Sequence, residues 1–347
     1  MVLSLPLSEA IKNISFGLLF LCFIIQRVLK RDLYLTPLAR GLFFYFVTAL
    51  LILPFAIDKY LSLKGAWDIF RFSAAYLILI NDFRDKRSWI EWSLIIGTTL
   101  GALWGIFVWK LMWHKHALQI LSLGHFNHTA IFLGLVLILC ICKLIWDNLS
   151  VKVWFFLCFS SFIIATALLL TTSRETFVGF GAACIFLLFS TKDKRLVLPT
   201  LGFIFLLLSV SFFYKDLQTK GFSTESLKSR FHIWAAGLRT FKDHPLVGVG
   251  LNCFKKIDIK YYGKYPNDWA PHAHNLYVNT LAQMGIIGFL GLLAVFFGFI
   301  KTALTRAKSY LKLAAVASLI LVLVNGIFNT TLHHEHALAF VIISALM

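Results

Sequence analysis

The chain has 347 residues, 59% hydrophobic and only 14% charged, with 33 basic against 16 acidic side chains and a formal net charge of +17. Soluble domains carry about a quarter charged residues, and a mean hydropathy of +0.80 means more apolar surface than a water-soluble fold of this length can bury. A soluble globular protein is excluded, and an all-α polytopic membrane protein without a separate soluble domain is expected.

In chain order, apolar stretches near the roughly 20 residues that cross a bilayer fall at 11–25, 41–57, 67–80, 89–109, 126–146, 153–170, 176–190, 196–214, 276–300 and 311–328. An eleventh begins near Ala337 and stops at Met347; at about 1.5 Å per residue it reaches halfway across the hydrocarbon. The count is therefore about eleven, between ten and twelve. The first run reads as a span rather than a cleaved signal, because its charges follow it.

Basic residues set the orientation. Arg27, Lys30, Arg31 and Arg40, then Arg84, Lys86 and Arg87, then Lys143 and Lys152, then Lys192, Lys194 and Arg195, and last Lys301, Arg306, Lys308 and Lys312 fall in one set of loops. The alternate loops are poorer in them. The first set is assigned to the cytoplasm, which puts a long loop, 215–271, on the outer face. The N-terminus then lies outside unless the first stretch is re-entrant.

That outer loop is basic, with Lys215, Lys220, Lys228, Arg230, Arg239, Lys242, Lys255, Lys256, Lys260 and Lys264. On an outer face nucleic acid is excluded as a partner; anionic membrane lipids or a lipid-linked phosphate suit the charge, as does plain solvation. Residues 226–241 place Phe231, Trp234, Ala235, Leu238 and Phe241 on one stripe of an amphipathic helix. Pro245, Gly248 and Gly250 then mark a turn with close backbone approach. Tyr261, Tyr262, Lys264, Tyr265 and Trp269 fit sugar stacking or interfacial anchoring equally. Five of six Cys lie in apolar runs and Cys253 alone lies outside, so no outer disulfide is expected.

The loop closes on Pro271-His272-Ala273-His274-Asn275 before an apolar helix. In extended backbone the two histidines face one way, Asn275 is a good N-cap, and a histidine at a helix N-terminus is held neutral by the dipole. Such a group can accept a proton. Earlier, Arg174 sits in a tight connection between two spans, where an arginine is costly unless paired or facing a wet cavity. Glu175 beside it offers simple neutralisation, and Gly179 and Gly181 allow the next helix to pack closely.

Taken together, Thr172-Ser173-Arg174, Lys228-Ser229-Arg230 with Trp234, Pro245-Leu246 with Gly248, Gly250 and Phe254, and His272, His274 and Asn275 before Met284-Gly285-Ile286-Ile287-Gly288 resemble the O-antigen ligase and polymerase family, as does Gly124-His125-Phe126-Asn127-His128. The resemblance runs from about Gly124 to the C-terminus. It implies a GT-C-like helical architecture with N-terminal transmembrane helices over 1–125 and a ligase-like region over 126–347, including a periplasmic loop at 215–275. It further implies a bacterial inner membrane location with the active site facing the periplasm. The donor would be an undecaprenyl-pyrophosphate-linked glycan and the acceptor the lipid A-core, with no metal and no cofactor. By the same resemblance Arg174 and Arg230 hold the pyrophosphate, since arginine grips phosphate bidentately. His274 is the base with His272 as the less favoured twin, and Arg71 is a spare cation.

Ligation is favoured over polymerisation, in which a second lipid-linked repeat is the acceptor. Two other classes fit the sequence less well. A transporter would carry charge along a continuous path, whereas the charges here gather at the outer face. A zinc hydrolase would use His333, His334, Glu335 and His336, which read more simply as a polar turn.

Overall fold

The computed structural model describes residues 1–112, 117–120, 122–191, 224–257 and 270–347. The expected span at 196–214 and the run Tyr261, Tyr262, Lys264, Tyr265 and Trp269 lie outside the described residues, as do Lys215 and Lys220. Among the described residues there are eleven helices and no strand.

They are α1 (Glu9–Lys30), α2 (Pro37–Ile52), α3 (Lys59–Asp82), α4 (Arg87–Met112), α5 (Phe126–Trp146), α6 (Val151–Leu170), α7 (Arg174–Thr191), α8 (Thr224–Asp243), α9 (Leu276–Thr305), α10 (Tyr310–Asn325) and α11 (His334–Leu346). Six of the long helical stretches are apolar enough to cross a membrane, namely Glu9–Lys30, Pro37–Phe55, Arg84–Leu111, Phe126–Trp146, Val151–Leu170 and Leu276–Thr305. α3 spans a similar length but carries Lys64, Asp68 and Arg71 on its first half.

Several starts are written into the sequence. Ser8, Asp58 and Ser309 each accept a backbone N–H three residues on, and Thr36 does the same ahead of Pro37. Each such cap satisfies a donor that the first helical turn leaves without a partner.

α5 is the central element: Leu133, Leu135, Val136 and Ile138 are fully buried. α6 and α1 lie outside it, presenting Phe155, Phe159, Phe162, Leu18 and Leu21 outward, as lipid-facing helices do. α2 packs along α9, close enough that a side chain on Gly41 would strike the Ala294 carbonyl. Small residues at such contacts let backbones approach without water to drive them together.

The last helix is short and enclosed by its neighbours. α11 is only 13 residues long, yet it is buried among α3, α5 and α10. Its end at Met347 comes within 3.5 Å of the Arg87 guanidinium. At about 1.5 Å per residue it is shorter than a bilayer crossing, and neighbouring helices rather than lipid surround it. Residues 1–7 pack against α4: Ser4, Leu5 and Pro6 are buried, with Leu3 opposite Gly97 and Pro6 opposite Gly101.

Glycine packing is borne out at one of two positions. A side chain on Gly179 would meet the Leu321 carbonyl at 3.0 Å, but Gly181 has nothing within 4 Å. The Cys253 thiol is buried and all six cysteines are free.

Candidate active site

The polar side chains with chemistry gather at one end of the bundle, where α5, α7, α9 and α11 all begin. α8 lies across that end. Its packed face is Ile233, Ala236, Gly237 and Thr240, set against Phe254, Ala273 and Val278. Of the apolar stripe, Phe231 is 61% and Leu238 44% exposed, while Trp234, Ala235 and Phe241 are half-buried. A small-residue face seats against backbone, which leaves the large apolar side chains for the surrounding medium.

The turn after α8 is built into α9. Helix α9 breaks at Gly285, whose φ is 61° and ψ −161°. The amides of Ile286 and Ile287 donate to the carbonyls of Pro245 and Leu246 at 2.9 and 3.2 Å. In return Val249 and Gly250 donate to Ala282 and Gln283 at 3.0 and 2.8 Å. Gly248 and Gly285 both have positive φ, and a side chain on either would collide with backbone of the other strand of this crossing. The Pro245–Gly250 and Met284–Gly288 motifs are thus one interlock that re-satisfies a broken helix at depth.

That interlock holds the start of α9. Asn275 caps it, its side chain accepting from Tyr277 and Val278 at 2.9 Å each, while its amide donates to the Ile327 carbonyl at 2.9 Å. The cap is as expected; the backbone before it is not. His274 has φ 49°, so the histidines meet through a left-handed residue rather than an extended segment, with ring centroids 4.3 Å apart. Outside glycine this conformation is costly and flags functional positions.

Arg230, on α8, reaches back to the same place. Its guanidinium donates to a carboxylate oxygen of Glu175 and, at 3.1 Å, to the Phe328 carbonyl. Glu175, expected to neutralise Arg174, also acts on Arg230 and pairs with it directly. Arg174 is the first residue of α7 and half-buried beside Glu175. Ser173 and Thr176 hydroxyls lie 3.1 Å apart, and the Asn325 amide donates to Thr176 at 2.9 Å, which ties α7 to α10.

Both histidines are held neutral. Burial, followed by the positive charge of Arg230, lowers His274 to about 4. Burial and then His274 push His272 lower still, to about 2. The direction is the one expected; the main cause is desolvation rather than the helix dipole.

Arg71 stands apart from this pair. It donates to Asp68 at 3.0 Å and to Asn13 at 3.2 Å, so its charge is already matched. Asp68 links it onward, 3.8 Å from the His334 ring.

Sequence reasoning missed how many histidines this end collects. His272 and His333 rings are 6.2 Å apart, and His128 lies 4.7 Å from His333. The signal was present in the parity of the spans, since α5 and α11 must begin on the same side. Glu335, grouped with those histidines in the zinc reading, turns away to pair with the buried Lys12. Among the described residues the group able to hold a metal is His128, His333 and His334, their ligand atoms within 4.8 Å of one another. Buried polar atoms without a hydrogen-bond partner among the described residues include Asn127 Oδ1, Asn325 Oδ1, Asn329 Nδ2, Thr330 Oγ1 and His336 Nδ1.

No curated protein matches the chain. A family model does, over the stretch that holds Arg174, Arg230, His272 and His274. It is described as O-antigen ligase, and it matches residues 159–293 of this chain.

Proposed function

We propose that the chain is a membrane glycosyltransferase that moves an undecaprenyl-pyrophosphate-linked glycan onto the lipid A-core, without a metal and with inversion at the anomeric carbon. The observation that carries the reading is Arg230 beside a half-buried, neutral His274, within the stretch that matches the ligase family.

In this reading the donor pyrophosphate is gripped by Arg174 and Arg230, which stabilise the charge that grows as it leaves. The acceptor hydroxyl gives its proton to His274 and its oxygen attacks the anomeric carbon. The bond to the pyrophosphate oxygen breaks with its electron pair, and undecaprenyl pyrophosphate departs. Because Glu175 already pairs with Arg230, the pyrophosphate competes with that carboxylate for the guanidinium fork.

A base held down to about 4 is weak in the empty site. Bound pyrophosphate offsets the Arg230 charge that helps to depress it, so the donor itself raises the basicity of His274. The active site would face the periplasm of a bacterial inner membrane, as the basic-residue distribution supports.

Deleting the gene and resolving the surface lipopolysaccharide on a gel tests the reading. Loss of every capped species is expected. A surviving single-repeat band would make the enzyme a polymerase that uses a second lipid-linked repeat, and an unchanged ladder would overturn both. Purified enzyme should keep its activity in EDTA; loss with recovery on adding zinc or magnesium would overturn the metal-free chemistry.

A further inference from the structure

We infer that His128, His333 and His334 form a binding site for a borderline divalent transition cation, zinc above all, at the junction of the starts of α5 and α11. None of these residues falls in the stretch that matches the ligase family, and the site does not depend on the glycan-transfer reading.

The argument begins with distance. The three ligand atoms lie within 4.8 Å of one another. Nitrogens around a tetrahedral zinc are about 3.3 Å apart, from a zinc–nitrogen length near 2.05 Å. Closing the triangle therefore needs shifts of roughly 1 Å per ring, within the reach of small side-chain torsions. The rings already crowd together, with centroids 4.7 Å apart for His128 and His333, 5.4 Å for His128 and His334, and 4.5 Å for His333 and His334.

Next comes what surrounds them. His336 Nε2 stands 3.1 Å from His333 Nδ1, which leaves His333 one nitrogen for a ligand and fixes its ring. His336 itself is 1% exposed, and its Nδ1 has no hydrogen-bond partner among the described residues. A supporting carboxylate is also in place: Asp68 lies 3.8 Å from His334 Nδ1 and is held by Arg71 at 3.0 Å. A carboxylate behind a ligating imidazole is the usual orienting partner in such sites. Glu335 is excluded as a ligand because it is paired with Lys12.

The ligand set decides the cation. Three imidazoles and no free carboxylate suit zinc, nickel or copper and disfavour magnesium and calcium, which need oxygen. Access is open, since the His334 side chain is 47% exposed. The backbone is bent to make this arrangement: His334 has φ 52° and Leu332 has φ 61°. A three-histidine site leaves a fourth position for water. An occupied site would cross-link α5 to α11 near His272, whose ring is 6.2 Å from that of His333. It supplies no Lewis acid to the transfer proposed above.

The experiment uses the full chain in detergent, with an affinity tag that contains no histidine, stripped of metal and titrated with cobalt chloride. One cobalt per chain is expected, with the visible absorption of four-coordinate cobalt, displaced by zinc and not by magnesium. H334A, at an exposed side chain, and H128A should each weaken binding at least tenfold, while H272A should leave it unchanged. Each variant is checked by gel filtration and thermal transition; should H128A fail to fold, H334A alone decides. No saturable cobalt binding, or equal binding by H334A and the unmodified protein, would overturn the site. Loss of transfer in EDTA alongside saturable binding would overturn the metal-free reading of catalysis and leave the site standing.

Discussion

At the scale of single residues, Arg174, Arg230 and His274 are separable by experiment. Arg174→Lys or Arg230→Lys keeps the charge and loses the planar fork. Losing one charge-assisted bond costs about 1.5–3 kcal/mol, or roughly one to two decades in transfer rate, measured with saturating acceptor. His274→Ala should lower turnover by about two to four decades and leave donor affinity nearly unchanged. Lost donor binding with normal turnover of bound donor would make His274 a phosphate ligand and His272 the base. The pH profiles carry a sign. A base works only unprotonated, and His274 is lowered to about 4 by burial and then by Arg230, so kcat/KM, which reports the free enzyme, should hold from neutral pH down toward 4. The acid limb of kcat, which reports the donor complex, should lie at higher pH because pyrophosphate offsets Arg230. Coincident limbs would remove the donor-assisted account of the base.

At the scale of elements, the sequence was most informative where a single residue does a local job. The cap at Asn275 was read from the sequence, and Ser8, Thr36, Asp58 and Ser309 cap in the same local way, because capping needs only a side chain and the next turn. The helix over 226–241 was legible as amphipathic, but its docking face was not. Phe231 and Leu238 dominate any apolar average, whereas the real contact is made by Ala236 and Gly237, whose small size the pattern undervalues. The pairing of Glu175 with Arg230 was equally hidden, since it joins α7 to a loop helix far away in the chain. The Gly248–Gly285 crossing gives a test at this scale. Gly285→Ala forces a side chain into the Leu246 carbonyl at positive φ and should cost about 1–3 kcal/mol of stability, read as a lowered thermal transition in detergent. Gly181→Ala, in helix α7 with open space around it, should leave that transition unchanged or raise it slightly. Equal losses for the two would mean that the interlock contributes nothing.

At the scale of the whole molecule, the apolar runs located ten of the eleven described helices, because crossing a bilayer demands length and apolarity that composition alone displays. The gathering of His125, His128, His272, His274 and His333 was legible only in part, for span parity puts these helix ends on one side but does not say which neighbours touch. Sidedness is open to direct measurement. Cysteine in place of the exposed Lys242 should react with a membrane-impermeant thiol reagent in intact spheroplasts, and cysteine in place of Lys86 should not. The reverse pattern would place the cluster on the cytoplasmic side and remove the proposed donor from reach.

The interlock at Gly285 also governs when this end of the molecule can be completed. Pro245 and Leu246 leave the ribosome before Ile286 and Ile287, the residues whose amides their carbonyls accept. Until those amides arrive, the carbonyls must stay hydrated, because an unsatisfied backbone group in hydrocarbon costs several kcal/mol. The turn therefore waits in water while α9 is still being threaded, and α8 has no seat until Ala273 and Val278 are in place. Nascent chains stalled before Leu276 should expose Lys242, Lys255 and Lys256 to trypsin, and chains stalled after Thr305 should be cut more slowly at the half-buried Lys255. In biogenesis this end of the bundle is completed late, when the helix that carries Gly285 arrives.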